Sequence, residues 1–226
     1  MKMLTVSGPP SSGKTSLILH LVRELPDLRI AVVKFDCLTS VDQEQYQVAG
    51  VPVVVGYAGK LCPDHFFVTN VQDAFDWAKR KGYDLLITES AGLCNRCSPH
   101  IRGVPAVCVI DNLAGVNTPR KLGPMLRLAD VVAVTKGDIV SQAEREVFAY
   151  HIRQMNPNAK LLNVNGITGQ GVFLLARLVE QAREIDTLSG MQLRFTTPSS
   201  VCAYCTGEKR IGMEYQLGMT RPMEFD

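Results

Sequence analysis

The sequence predicts an α/β fold, a mostly parallel sheet flanked by helices, and three observations carry that prediction. Several short β-branched runs are continuously apolar rather than alternating, as strands covered on both faces are. Segments of helical spacing lie between several of these runs, which is the alternation that βα units produce. A glycine-rich loop joins the first run to the first helical segment. In chain order, MLTVS reads as a strand and KTSLILHLVREL as a helix that Pro26 interrupts. RIAVVKF and VPVVV are the next strands, VQDAFDWAKRKG is a helix, and DLLITES, AVCVIDN and VVAVT are strands again. The helix SQAEREVFAYHIRQM, the strand KLLNVN and the helix GQGVFLLARLVEQAREI complete the pattern. Right-handed crossovers between parallel strands then put ligands outside the carboxyl ends of the strands.

After about residue 187 the helical period stops and Gly, Pro and Ser are scattered. Residues 1–187 are therefore expected to form the α/β domain and 188–226 a C-terminal appendage, either a small β element with a hairpin around GEKRIG or a mobile tail. The 226 residues are 46 % hydrophobic and 20 % charged, which excludes a disordered or low-complexity chain. The formal net charge of +2 argues against a nucleic-acid partner and against a strongly anionic membrane surface. The longest apolar stretches fall well short of the roughly 20 residues that a bilayer span requires. MKMLTVSGPP reaches glycine and proline too soon for the roughly 7–15-residue apolar region of a secretory signal, so a cytoplasmic location is expected.

The loop Gly8-Pro9-Pro10-Ser11-Ser12-Gly13-Lys14-Thr15 matches GxxxxGK[ST] after a strand and before a helix. Its glycines let successive N–H groups, including those of Ser11, Ser12 and Ser16, point at a phosphate chain beside a helix N-terminus. Lys14 is expected at the β and γ phosphates and Thr15 on Mg²⁺. Thr135-Lys136-Gly137-Asp138 follows the strand VVAVT and resembles the [NT]KxD guanine motif, with Lys136 packing on the base and Asp138 accepting from it. Thr135 in place of the more frequent Asn is expected to weaken the tie to the phosphate loop. Asn165, Gly166 and Thr168 are candidates for the other side of the base. The ligands implied are GTP and Mg²⁺. Asp36 and Glu89 end strands and so can face the phosphates, Asp36 as a further Mg²⁺ ligand and both as hydrolytic carboxylates. Asp42, Asp64 and Asp84 read as caps or solvated loop residues.

Seven cysteines in a chain without a secretion signal point to metal or redox chemistry. Cys94-Asn95-Arg96-Cys97 follows the Glu89 strand, and Cys62 and His65 stand in LCPDH, in the other loop expected to flank the nucleotide. The leading arrangement is one soft-metal site from Cys62, Cys94 and Cys97, with or without His65; His100 is a weaker candidate. Cys202 and Cys205 form a second CxxC, too far downstream for a zinc ribbon, whose pairs stand about 15–20 residues apart. The two pairs can meet within one chain, or each can join its twin across a homodimer axis to hold zinc or an iron–sulfur cluster. Cys37 is ambiguous, and Cys108, inside an apolar strand, reads as a small buried hydrophobe.

GPPSSGKTS, DLLITESAG, VIDNLAGVNTPRKLGPMLRLADVVAVTKGD and NGITGQG together resemble the UreG/HypB family of P-loop GTPases, over roughly residues 1–185. The resemblance implies a P-loop fold and a nucleotide-dependent homodimer. It also implies a metallochaperone that hydrolyses GTP and delivers nickel or another soft metal to a client metalloenzyme or maturation protein. It implies that Cys62, His65 and Cys94 are metal ligands in the switch loops. Cys97 and the Cys202/Cys205 appendage depart from the nickel branches. The alternative reading is a nucleotide-driven electron donor whose CxxC pairs hold an iron–sulfur cluster. A small-molecule kinase would explain neither TKGD nor the paired cysteines.

Overall fold

A computed structural model describes residues 1–38, 42–92, 97–195, 208–216 and 219–226. Seven parallel strands form one sheet in the order β3-β2-β4-β1-β5-β6-β7. They are β1 Lys2–Ser7, β2 Ile30–Asp36, β3 Val53–Tyr57, β4 Leu85–Ser90, β5 Ala106–Asp111, β6 Val131–Thr135 and β7 Lys160–Asn163. β1, the first strand made, sits centrally between β4 and β5, and the order reverses there, so a crevice opens at its carboxyl end.

The two-residue strand period sorts side chains to two faces. Leu4, Val6, Val32 and Ile87 face α1 (Lys14–Glu24) and α7 (Val172–Glu180), while Met3, Val33, Phe35 and Leu86 face α3 (Pro63–Arg80). Cys108, Ile110, Val132 and Val134 pack on α5 (Pro124–Arg127) and α6 (Gln142–Met155). Both faces are covered, so the strands are apolar without alternation, and every expected strand forms.

Helices differ more from expectation. α3 starts at Pro63, eight residues before Val71, because Cys62 serves as N-cap and a proline is well placed at N1. Its early turns bring Phe66 and Phe67 edge-on to Phe35, with ring centroids 6.1 and 4.9 Å away. α2 (Asp42–Val48) lacks an obvious apolar period, and Tyr46 is its only buried residue. The two short helices α4 (Thr118–Lys121) and α5 lie where the sequence offered no helical pattern. α7 stops at Glu180, short of the expected helical segment.

The described part of 188–226 folds back onto the α3 face, where Leu188, Leu193 and Ile211 are buried with the α3 core. Leu193 N–H donates to Lys209 O at 2.8 Å, and antiparallel bridges pair Ile101 with Leu193 and Gln192 with Arg210. Arg194 donates to Asp130 through both terminal nitrogens, at 2.8 and 2.7 Å, and to the carbonyls of Ile101, Leu128 and Val104. Further on, Asn70 holds Arg221 O and Met223 N, and Trp77 Nε1 donates to Asp226 O at 2.9 Å. Among the described residues, no helix is long and apolar enough to cross a membrane.

Candidate nucleotide site

The phosphate loop is built by backbone that few residues adopt. Gly8 has φ 147° and Gly13, the N-cap of α1, has φ 91°, while Ser11 is one of the two described non-glycine residues at positive φ, at 59°. A Cβ on Gly8 would overlap Val109 O, and one on Gly92 would overlap Gly8 O. The chain leaving β4 therefore lies directly against the loop. Lys14 Nζ donates to Gly8 O and Pro9 O at 2.9 and 2.8 Å, and burial pulls its pKa down, with the Glu89 charge opposing.

β2 and β4 deliver the acidic side of the site. Glu89 is wholly buried and accepts three hydrogen bonds: Thr15 Oγ1 and Lys34 Nζ donate to Oε1 at 2.9 and 2.8 Å, and Tyr46 OH donates to Oε2 at 2.7 Å, which leaves Oε2 one acceptor site. Lys34 Nζ also donates to Asp42 Oδ2 at 2.7 Å and lies 3.8 Å from Asp36 Oδ2. Burial works against the Lys34 charge, but Glu89 and Asp42 hold its pKa above the usual lysine value. Burial, together with the Glu89 charge, pushes the Tyr46 phenol well up. Lys14, Thr15, Ser16, Asp36, Asp42 and Glu89 share one cavity of about 490 Å³. Asp42, read from the sequence as a cap or loop residue, is thus part of the site. Lys34 and Tyr46 had no sequence signal beyond a charge inside an apolar strand run.

A neighbouring cavity of about 340 Å³ is lined by Asp138, Arg145, Asn165, Gly171 and Phe173. Lys136, at φ 55°, lines the first cavity: its ammonium donates to Ser11 O at 2.8 Å and lies 3.6 Å from Asp111 Oδ2. Thr135 keeps a tie to the phosphate loop, because its hydroxyl donates to Ser12 O at 2.7 Å and so joins β6 to the loop. Asn165 Oδ1 accepts from the N–H groups of Ile167 and Thr168, which shapes the turn beside the cavity.

Comparison with known proteins decides what this arrangement is. The family model described as "CobW/HypB/UreG, nucleotide-binding domain" matches residues 2–163. The chain belongs to that family. It is a P-loop GTPase. It is 45 % identical over 226 residues to the uncharacterized protein MJ0120 of Methanocaldococcus jannaschii, covering 99 % of this chain and 97 % of that one. The hydrogenase maturation factor HypB of Archaeoglobus fulgidus superposes with a TM-score of 0.64 at 21 % identity, over 80 % of this chain and 89 % of that one. HypB of Helicobacter pylori, solved in complex with nickel, gives 0.63 at 22 % identity, over 83 % of this chain and 91 % of that one.

The residues present fit a nucleotide with Mg²⁺. Ser12 Oγ is buried with no hydrogen-bond partner among the described residues, and Gly8 and Gly13 hold the loop in positive-φ backbone that packs against Val109 and Thr135. Thr15 parks its proton on Glu89, which leaves its oxygen lone pairs for a cation, with Asp36 on the same cavity wall.

The thiols are less gathered. Cys94, Cys202 and Cys205 lie outside the described residues. Cys97 is buried, Cys62 is half-buried, and His65 is buried with its pKa lowered by desolvation. Among the described residues no three His, Cys, Asp or Glu side chains form a metal-binding group, so Cys62, His65 and Cys97 do not by themselves make the expected site. Cys37 gains a context: burial raises its pKa, and the charges of Asp36, Cys62 and Asp64 raise it further. His100 is not a ligand in this arrangement. It is wholly buried, its Nε2 lies 2.9 Å from Met125 O and its Nδ1 3.3 Å from Thr5 Oγ1, and burial lowers its pKa to about 4. Cys108 is inert, its thiol pushed up to about 12 by burial.

Proposed function

We propose that this GTPase is a metallocentre-maturation protein, in which nucleotide state governs the hold of loop cysteines on a soft metal that is passed to a client protein. The observation that carries the reading is the contact of Gly92 with Gly8 O: the backbone that touches the phosphate loop runs on to Cys94 and Cys97. A shift of the loop on hydrolysis is thus transmitted over two to five residues of chain. On the other flank, Cys37 follows Asp36 directly and Cys62 caps α3.

Within the nucleotide site, Lys14 neutralises the β and γ phosphates, Asp138 reads guanine with Lys136 against the base, and Asn165 shapes the far wall. Thr15 and Asp36 would hold Mg²⁺, which would supply charge neutralisation on the phosphate oxygens. Glu89 fixes the Thr15 hydroxyl and orients the attacking water.

The four cysteines of the two CxxC pairs form a natural ligand set. Cys97 stands four residues before Ile101, which bridges Leu193, and Cys205 stands four residues before Lys209, which accepts from Leu193 N. At no more than about 3.5 Å per residue, chain length alone lets the pairs share one ion or cluster. Pairing with the twin motifs of a homodimer is the second arrangement the spacing permits.

The testing experiment is metal and sulfide analysis with an absorption spectrum on protein purified without oxygen, with and without a non-hydrolysable GTP analogue. Zinc or nickel with no visible chromophore, and a dimer tightened by the analogue, is the expected result. Iron and sulfide in equal amounts would replace metal delivery with cluster handling or electron transfer. Unchanged metal content in the Cys94→Ala/Cys97→Ala variant would remove those thiols from the site.

A further inference from the structure

Tyr46 is wholly buried, and its ring belongs to the core cluster of Leu17, Val32, Val51 and Ile87. A phenol in such a place needs a partner for its proton. It has one in Glu89 Oε2, 2.7 Å away on β4, and Glu89 is itself wholly buried. Burial and the Glu89 charge hold the phenol's pKa well above its ordinary value, so Tyr46 keeps its proton and stays a donor. Nothing in the nucleotide site described so far makes use of that donor.

A use follows from the acceptor sites of Glu89. A carboxylate offers about four, two on each oxygen. Thr15 Oγ1 at 2.9 Å and Lys34 Nζ at 2.8 Å both donate to Oε1 and so fill it. Tyr46 takes one site on Oε2, so among the described residues a single site is left, on a carboxylate that lines the phosphate cavity. A water oriented by Glu89 can donate to that site alone. We propose that Tyr46 is a positioning residue for hydrolysis: its hydroxyl occupies one side of Glu89 Oε2 and so fixes the lone pair to which the attacking water donates. In the reaction the water oxygen bonds to the γ-phosphorus as the bond from phosphorus to the β–γ bridging oxygen breaks. The electron pair of that bond stays on GDP, and both water protons leave on the released phosphate. Glu89 and Tyr46 end as they began. Tyr46 stands on α2, the helix that also brings Asp42 and Gln45 to the cavity wall, so the water is held in line only while α2 is docked.

The inference rests on the proposed orientation of water by Glu89, and the experiment separates the two. GTP hydrolysis by full-length protein is followed as phosphate release, with kcat and KM measured for wild type, Tyr46→Phe, Glu89→Gln and the double variant. Tyr46→Phe keeps the ring in the core and removes only the hydroxyl. Its kcat should fall about tenfold or more, with KM and fluorescent GDP affinity within about threefold of wild type, a split that a packing role would not produce. In the Glu89→Gln background, adding Tyr46→Phe should lower kcat by less than about twofold, because both changes release the same water. Wild-type kcat in Tyr46→Phe, or two losses that multiply, would overturn the positioning role and leave the Glu89 reading standing. Wild-type kcat in Glu89→Gln would overturn the Glu89 reading and the role of Tyr46 with it. Tyr46→Met serves where circular dichroism shows Tyr46→Phe misfolded, and the same loss of kcat is expected of it.

Discussion

Single residues carry the chemistry of this site, and several make sharp demands. Gly92 has φ 67° and no room for a Cβ beside Gly8 O, so Gly92→Ala should push the β4 loop off the phosphate loop. The expected result is at least a tenfold loss of fluorescent GDP affinity, read by titration, with the fold retained by circular dichroism. In the proposed guanine reading, Asp138 as a carboxylate accepts from two N–H groups of the base, whereas an amide there would donate to a carbonyl. Asp138→Asn should therefore lose GTP affinity and gain affinity for xanthosine triphosphate, and a variant that still prefers GTP would place base recognition elsewhere. His100 makes a pH prediction. Its folded pKa of about 4 lies below the ordinary 6.5, so the unfolded chain binds the proton first. Its contribution to stability is complete above the unfolded value and declines as pH falls through the window from about 6.5 to about 4. Between pH 7 and pH 5 that amounts to about 2 kcal/mol. Urea unfolding at the two pH values should show wild type losing this much more stability than His100→Gln.

At the scale of elements, the strands and the phosphate loop were legible because their signals are local. Continuous apolar runs mark buried parallel strands, and GPPSSGKT needs no partner to be read. Helices were less legible where tertiary contacts define them. The first turns of α3 read as a loop through CPDH, yet Phe66 and Phe67 become helical by packing on Phe35 of a strand far away in sequence. α2 is held by Tyr46 and Asp42 reaching Glu89 and Lys34, a network no periodicity reveals. The same holds for Thr135, whose tie to Ser12 O depends on how β6 lies beside the loop. The segment around Leu193 is fixed chiefly by Arg194, whose guanidinium joins Asp130 and three carbonyls. Asp130 is half exposed, so Arg194→Ala should cost roughly 1–3 kcal/mol. Thermal unfolding should register this, and limited proteolysis should cut first within 188–226. Resistance equal to wild type would mean that Leu188, Leu193 and Ile211 hold the segment without the guanidinium.

For the whole molecule, the reversal of strand order beside β1 collects the phosphate loop, Asp36, Glu89, Asp111 and Asp138 at one end of the sheet, although they are spread over more than a hundred residues. A ligand that bridges so many strand ends stabilises the fold as a unit. Saturation at a hundred times the dissociation constant adds about 2.7 kcal/mol. For a domain of this size that is roughly 5–10 °C in Tm. GTP with Mg²⁺ should produce such a shift, and ATP at the same concentration should not, if Asp138 reads the base as proposed. Assembly is read from the same measurement, since a subunit partner is itself a ligand of the folded state and makes Tm depend on protein concentration. A nucleotide-dependent homodimer requires Tm to rise with protein concentration in the presence of a non-hydrolysable GTP analogue and to stay level in its absence. Level values under both conditions would make the GTPase cycle a property of the monomer. Any four-cysteine site would then have to be assembled within one chain, from the two CxxC pairs whose flanks meet at Leu193.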